Sequence, residues 1–314
     1  MIKKRIGIIG GFAEKQSMYM KELLESMNVN VLLIDTVSFP ESVSFSIGDK
    51  LKYQNEEIED IKSFYVGAIY SSGPPYYLPE VKEGKPIDLD GWYSNYTSER
   101  ERMAFIGSWI GMLGLEGRVF VDNIFNWKLH HYKPYQLALL KKHGIPVPKT
   151  LVTNSKTELL KFRKEVKEVI YKAVAGGSFC RKMTDHDWTT ERLDKLKYAP
   201  VIFQDYIDGD NIRVYVLDHK IISCNVIYTD ELDYRMHSKP QHIEHISLPE
   251  DIKEMCIKAA DICGHNFAAI DVKKTTNNKY VVLEATPSPM FIGIDHCTGD
   301  NISGQLAEYL IKNG

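Results

Sequence analysis

In this 314-residue chain, a few residue types recur at places where they could work together. Lys133 opens a helix-like segment, and Lys172 closes an apolar run just before the loop Gly176–Gly177–Ser178. Asp271 in AAIDVK and Glu284 in YVVLEATPSP stand near the ends of two further apolar runs. Lysines act as point charges on phosphate oxygens. A glycine-rich turn lets backbone N–H groups approach the same oxygens closely. Magnesium is a hard ion that takes carboxylate and phosphate oxygens. Two cations, a cradle for phosphates and two acids suit ATP-driven activation of a carboxylate. That reaction joins two anions, so it needs charge neutralisation and positioning above all. Singly, each signal is weak, because a lysine or acid at a strand end commonly faces water. Their order along the chain carries the reading.

The elements that must position them follow from hydrophobic period and punctuation. RIGIIGG reads as a buried strand, residues 14–27 as a helix with Tyr19, Leu23, Leu24 and Met27 on one face, and VNVLLID as a second strand. A β-α-β unit with a parallel sheet is the economical result. An antiparallel excursion over 40–60, a strand at YVGAIYSS, a long proline-bearing loop over 73–95 and an apolar helix over 97–114 complete this part. The second part opens near residue 120. Pro134 and Gly144 bracket a helix in the favoured order, and the prolines of GIPVPKT enforce extended chain. Ser155 and Glu158 predict a capping box for a helix over 156–168. EVIYKAV and VIFQDYI read as strands, with the polar stretch RKMTDHDWTTERLDK between them. NIRVYVLDHKIISCNVIY reads as a hairpin turning at Asp218–His219. A helix over 251–263 stops at Gly264, two strands joined by TTNNK carry Asp271 and Glu284, and a last helix covers 302–312.

Bulk properties exclude several classes. The length predicts two or three domains sharing a site. A formal charge of −3, from 39 basic and 42 acidic residues, argues against nucleic acid or an anionic membrane as the main partner. No apolar run approaches the roughly 20 residues that span a bilayer. The start MIKKRIGIIGGF lacks a small-residue cleavage site and reads as a buried strand rather than a signal peptide. Five cysteines without a C-x-x-C pair read as reduced thiols of a cytoplasmic protein. Gly7, Gly10 and Gly11 with Asp35 miss the dinucleotide spacing. His242 and His245 in QHIEH do not match the helical zinc patterns and read as solvated or hydrogen-bonded histidines. The aromatics Tyr76, Tyr77, Trp92, Tyr93 and Tyr96 read as a structured loop, with a peptide-gripping surface as the sharper alternative.

Taken together, YKPYQLALLKKHGIPVPKT, VIYKAVAGGSF, QDYIDGDNIRVYVL and AAIDVKKTTNNKYVVLEATPSP resemble the signatures of the ATP-grasp ligases, over the whole chain. The resemblance implies an α/β, ATP-grasp fold. It would have an N-terminal Rossmann-like domain over 1–120, a central lid subdomain over 121–200 and a C-terminal subdomain with the metal site over 201–314. ATP and Mg2+ would sit between the last two. Lys133, Lys172 and the loop Gly176–Gly177–Ser178 would hold the phosphates. Gln204, Asp205, Tyr206 and Ile207 would line the adenine pocket, and Asp210 would meet the ribose. Arg213 and Arg235 would hold an acyl phosphate and its tetrahedral successor. Asp271, Glu284 and Thr286 would hold metal, with Thr286 standing where the family usually has asparagine.

The C-terminal half looks like the RimK-type ligases. IDTVSFPESVSFSI together with KPYQLALLKKHGIPVPKTLVTNS is similar to the ligases that macrocyclise ribosomal peptides of the microviridin type, the graspetides. Those usually carry an arginine pair where this chain has Ser71–Ser72. The implied activity is an ADP-forming ligase that joins a peptide carboxylate to an amine or hydroxyl. Alternatives are a RimK- or glutathione-synthetase-like ligase adding an amino acid to a small-molecule or peptide carboxylate, and a nucleotide-binding regulator without turnover. No nucleic-acid or membrane partner is expected, and a homodimer is left open.

Overall fold

The computed structural model describes residues 5–67, 89–122, 126, 128–175, 179–233 and 242–314. The chain divides into two compact units, Met1–Val121 with Leu306–Gly314, and Asp122–Gln305.

In the first unit the elements run β1 (Arg5–Gly10), α1 (Lys15–Ser26), β2 (Asn30–Asp35), β3 (Phe45–Ile47), β4 (Leu51–Tyr53), β5 (Glu56–Glu57), β6 (Ile61–Val66), α2 (Leu89–Leu115) and β7 (Val119–Val121). Strands β2-β1-β6-β7 form a parallel sheet, and β3-β4-β5 an antiparallel one. Ile6, Ile8 and Ile9 are fully buried, as expected for a parallel strand covered on both faces. Buried Asp35 closes its own turn, accepting from the backbone N–H groups of Val37 (2.9 Å) and Ser38 (3.1 Å) and from the Ser38 hydroxyl (2.6 Å).

Three expectations need correction here. The inward face of α1 is Gln16, Ser17, Met20 and Leu24, while Met27 is 40% exposed. Glu14 fixes the helix start by accepting from the N–H groups of Gln16 and Ser17, and buried Gln16 faces inward because its amide donates to the Tyr65 hydroxyl at 2.7 Å. The strand expected at YVGAIYSS starts earlier, at Ile61, and takes in Tyr65 and Val66; residues 68–72 lie outside the described residues. Helix α2 begins at Leu89, so Trp92, Tyr93 and Tyr96 are helical rather than part of the loop, and the i,i+4 rings of Trp92 and Tyr96 stack at 5.5 Å. Tyr76, Tyr77, Ser71 and Ser72 lie outside the described residues.

The second unit runs α3 (Lys128–His131), α4 (Lys133–Lys142), β8 (Thr150–Thr153), α5 (Lys156–Arg163), β9 (Val169–Lys172), β10 (Arg181–Lys182), α6 (Thr190–Asp194), β11 (Val201–Asp205), β12 (Gly209–Leu217), β13 (Lys220–Tyr228), β14 (His242–His245), α7 (Glu250–Ile262), β15 (Phe267–Thr275), β16 (Tyr280–Pro287) and α8 (Ile292–Thr298). Helix α9 (Ile302–Asn313) runs across the boundary of the two units. Two antiparallel sheets result: a small one ordered β10-β9-β11-β8 and a larger one ordered β14-β13-β12-β15-β16. Asp218 and His219 form the β12–β13 turn with φ of 48° and 60°, the left-handed pair that a two-residue hairpin needs. Helix α5 is shorter than expected, because the chain bends after Arg163 through a Glu165 N–H bond to the Phe162 carbonyl at 2.9 Å. Ser155 caps α5 by accepting from Glu158 N–H at 3.4 Å.

Period-two alternation builds the larger sheet. Ile212, Val214, Val216, Cys224, Ile270 and Val272 form a core with Cys256, Ala259 and Ala260 of α7. The intervening residues face the other way and carry the polar groups. In the small sheet, Leu159, Phe162, Leu193, Leu196 and Phe203 form a separate core. Beside it lies a cavity of about 200 Å³ lined by Leu159, Tyr171, Leu193, Leu196, Tyr198 and Phe203.

Candidate active site

Register assembles the polar row. Glu284 of β16 pairs with Asp271 of β15, Asp271 with Arg213 of β12, Arg213 with Asn225 of β13, and Asn225 with His245 of β14. Five cross-strand neighbours thus run across one face, a carboxylate pair at one end and a guanidinium in the middle. Arg213 Nη1 donates to Asp271 Oδ1 at 2.8 Å, and its Nε donates to the Tyr215 hydroxyl at 3.0 Å. Tyr215 in turn donates to the Met290 carbonyl at 2.6 Å, which fixes the fork of the guanidinium.

Helix α4 brings a cation to the acid end. Buried Lys133 stands at its start, just before Pro134, and its ammonium donates to Glu284 Oε2. One turn on, Gln136 docks the helix onto β16: its Nε2 donates to the Ala285 carbonyl (2.8 Å), and its Oε1 accepts from the Ala285 N–H (3.0 Å). Thr286 Oγ1 donates to Glu284 Oε1 at 3.0 Å. His130 Nδ1 lies 3.6 Å from the same oxygen and is buried without a hydrogen-bond partner among the described residues.

Sequence reasoning missed Gln136 and His130. A lone amide between Lys133 and the buried Leu137 and Leu140 was the available signal for Gln136. Nothing in the sequence set His130 apart.

Electrostatics bind these groups into one unit. Burial alone would raise the carboxyl of Glu284, yet the charges of Lys133 and Lys172 bring it down to about 2. Asp271 moves up, because burial and the charge of Glu284 outweigh its bond to Arg213. Burial holds the Lys172 ammonium below the ordinary lysine range; Glu284 and Asp271 pull it back, and Lys133 pushes it further down. His130 is also lowered by burial, against the attraction of Glu284, and is therefore neutral at pH 7.

The remaining residues occupy the small sheet and the start of β12. Lys172 pairs with Ile202, and Gln204 with Ile170, so Lys172 and Gln204 share the face opposite the small core. The amide of Gln204 donates to Thr150 Oγ1 at 2.9 Å. Asp205 ends β11, and Tyr206 follows it with the Lys182 ammonium 4.6 Å above its ring. The side-chain bonds of Gln204 and Tyr206 go to Thr150 and Asp208 rather than to the Lys133–Glu284 cluster, and Asp210 is exposed. Gly176, Gly177, Ser178 and Arg235 lie outside the described residues.

The donor set fits magnesium. Two adjacent carboxylates and a hydroxyl supply only hard oxygens, and the depressed carboxyl of Glu284 stays ionised. Each acid is meanwhile neutralised by a cation, Asp271 by Arg213 and Glu284 by Lys133. Among the described residues, no cluster of three or more His, Cys, Asp or Glu side chains forms a metal site. A two-carboxylate site leaves coordination positions for phosphate oxygens.

A model of the RimK-like ATP-grasp domain matches residues 131–310, more than half of the chain and every described residue of this cluster except His130. The chain belongs to the RimK-like ATP-grasp family. Among curated relatives, an alpha-aminoadipate–LysW ligase of Sulfurisphaera tokodaii is 28% identical over 195 residues, 57% of this chain and 66% of that protein. The match therefore spans slightly less than two thirds of this relative's length. Among solved structures, the ATP-grasp ligase PsnB complexed with a minimal precursor is 29% identical with a TM-score of 0.87, covering 100% of this chain and 99% of PsnB. A second PsnB structure, complexed with a phosphomimetic variant of the minimal precursor, Mg and ADP, is 30% identical with a TM-score of 0.86, covering 98% of each chain. The ATP-grasp fold expected from the motifs is thus the observed one. Among the described residues, no helix is long and apolar enough to cross a membrane.

Proposed function

We propose that this protein is an ATP-dependent, ADP-forming ligase that joins a carboxylate of a ribosomal peptide to an amine or hydroxyl. The observation that carries the proposal is the row of ion pairs Lys133–Glu284 and Arg213–Asp271 on neighbouring strands, with Lys172 within electrostatic reach of both acids. Similarity to PsnB over the whole chain favours a peptide over a free amino acid as the carboxylate donor. The apolar cavity of about 200 Å³ beside the small sheet would suit an apolar side chain of that peptide. The LysW-ligase similarity keeps single amino-acid addition as the second reading.

On this reading, Lys133 and Lys172 hold the triphosphate, while Asp271, Glu284 and Thr286 would hold Mg2+. Bound magnesium would neutralise phosphate charge and tie the phosphates to the two acids. Gln204 through Ile207 and Asp210 are proposed for the adenosine, and Gly176, Gly177, Ser178 and Arg235 are assigned only by their motif positions. The substrate carboxylate attacks the γ-phosphorus, the bond to the β-bridging oxygen breaks, and ADP leaves. Arg213, preoriented by Tyr215, fixes the resulting acyl phosphate. The amine or hydroxyl then attacks the acyl carbon, and the C–O bond breaks to release phosphate. We also propose that residues 121–200 act as a lid over 201–314, and that the protein works in the cytoplasm.

Incubating the protein with ATP, Mg2+ and a precursor peptide encoded beside its gene tests this. Loss of one water per linkage from the peptide, with matching release of ADP and phosphate, is expected. AMP and pyrophosphate as products would contradict it.

A further inference from the structure

Beyond Arg213 the polar row continues into a cluster that the phosphoryl chemistry does not use. Asn225 and Ser223 of β13 are 0% and 2% exposed, and Asn225 Nδ2 donates to Ser223 Oγ at 2.6 Å. Ser223 donates to Asp300 Oδ2 at 2.5 Å, and His245 Nδ1 meets Asp300 Oδ1 at 3.0 Å. The Asp300 side chain is 8% exposed, whereas that of His245 is 56% exposed, so the cluster opens toward solvent on the His245 side. Asn225 Oδ1 is buried and accepts no hydrogen bond from any described residue. A buried amide oxygen without a donor is costly, on the order of 1–3 kcal/mol, and marks a place suited to one.

Position gives the cluster its meaning. Adjacent strands lie about 4.8 Å apart, so Asn225, directly opposite Arg213, stands one strand spacing from the group assigned to the acyl phosphate. A nucleophile must come that close to the acyl carbon, on the side away from the acids that hold metal. The acceptors here are a carboxylate whose side chain is 8% exposed and a buried amide oxygen without a donor among the described residues, and they favour a cationic donor over a neutral hydroxyl. Burial would raise the Asp300 carboxyl, but bonds from Ser223 and His245 keep it below the usual carboxylate range and hence ionised.

We infer that Asn225, Asp300, Ser223 and His245 form the seat of the attacking group, and that this group is a primary amine arriving as its ammonium. The inference rests on the ligase reading above and narrows it to amide formation. The ammonium donates to Asn225 Oδ1 and Asp300. One of its protons passes to His245 Nε2, the freed nitrogen attacks the acyl carbon, and the C–N bond forms. The C–O bond to phosphate breaks, and phosphate leaves with that electron pair and the second surplus proton.

The test titrates the full-length protein with n-butylammonium, following the ring resonances of His245 by NMR, with Mg–ATP binding measured on the same samples. A saturable shift is expected with n-butylammonium and none with n-butanol. Asp300→Asn should weaken the amine about tenfold, and Asn225→Asp should tighten it several-fold. These opposite signs would not come from a merely structural network. If Asp300→Asn fails to fold, Asn225→Asp still decides. No saturation with the amine, an equal response to n-butanol, or no tightening in Asn225→Asp would overturn the inference while Mg–ATP binding leaves the ligase reading standing. Absence of Mg–ATP binding would overturn both.

Discussion

On one face of the five-stranded sheet, Ile212, Val214, Ile270 and Val272 pack beneath α7, and each is at most 2% exposed. One residue along the same strands, Arg213 and Asp271 form an ion pair in line with Glu284, which Lys133 holds from the neighbouring helix. The apolar face is held by non-directional burial, and a change there costs stability roughly in proportion to the area lost. On the polar face, every charge is partly removed from water and tolerated only because another charge stands beside it. Removing one member therefore leaves its partner stranded. Non-directional burial thus dominates the first face, and paired charge the second.

The two lysines sharpen the contrast further. Lys133 is paired with Glu284, whereas burial dominates Lys172 and pushes its ammonium down.

The largest expected effect is on turnover. Lys172→Met and Glu284→Ala should each lower ADP release by on the order of 10³-fold, since each removes a fixed charge from the developing anion. In thermal unfolding the pair should separate: Lys172→Met leaves the midpoint unchanged or higher, because it deletes a desolvated cation, whereas Glu284→Ala lowers it. A lowered midpoint for Lys172→Met would break the contrast drawn here.

Next comes the apolar face. Ile270→Ala should cost about 2–5 kcal/mol in chemical denaturation while leaving Mg–ATP affinity within twofold of the unaltered protein. A large loss of nucleotide affinity at preserved fold would mean that the two faces are not separable.

A smaller effect is expected with pH. The carboxyl of Glu284 lies at about 2 in the fold against 4.5 for an unperturbed glutamate. A group depressed in this way adds stability that is complete above its unfolded value and fades as pH falls through the folded one. Stability should therefore drop between about pH 4.5 and pH 2, and Glu284→Gln should flatten that drop. An unchanged acid limb in Glu284→Gln would contradict the assignment.

The smallest expected change is at Thr286. Thr286→Asn supplies an amide oxygen in place of a hydroxyl and should tighten Mg2+ a few-fold, read as the metal concentration giving half-maximal nucleotide binding. No change would mean that this side chain is not a ligand.

Much of this was legible in the sequence, for reasons particular to each part. Alternation in NIRVYVL and AAIDV set register and facing together, because a side-chain period of two puts Arg213 and Asp271 opposite the core once Val214 and Ile270 are buried. Pro134 and Gly144 marked α4, and Gly144 does sit at a φ of 83°, where a glycine is favoured. The face of α1 was misread because it is closed by Gln16 and Ser17 rather than by the apolar residues that a hydrophobic count prefers. The start of α2 was misread because Gly91 and the preceding prolines look like loop, while the aromatic i,i+4 pair that supports the helix counted as clustering only. Gln136 left only the faint signal of a lone amide, and Asp300 was out of reach, since both act through partners far away in the chain: Ala285 for Gln136, and Ser223 and His245 for Asp300. Single-sequence patterns report local period and punctuation, and such bonds belong to neither.

The most direct test of the central claim is the magnesium dependence of nucleotide binding, measured calorimetrically with a non-hydrolysable ATP analogue on the unaltered protein and on Glu284→Gln. The account predicts tight binding with magnesium and markedly weaker binding without it in the unaltered protein, and loss of that difference in Glu284→Gln. Equal affinities for the two proteins with magnesium present would contradict it.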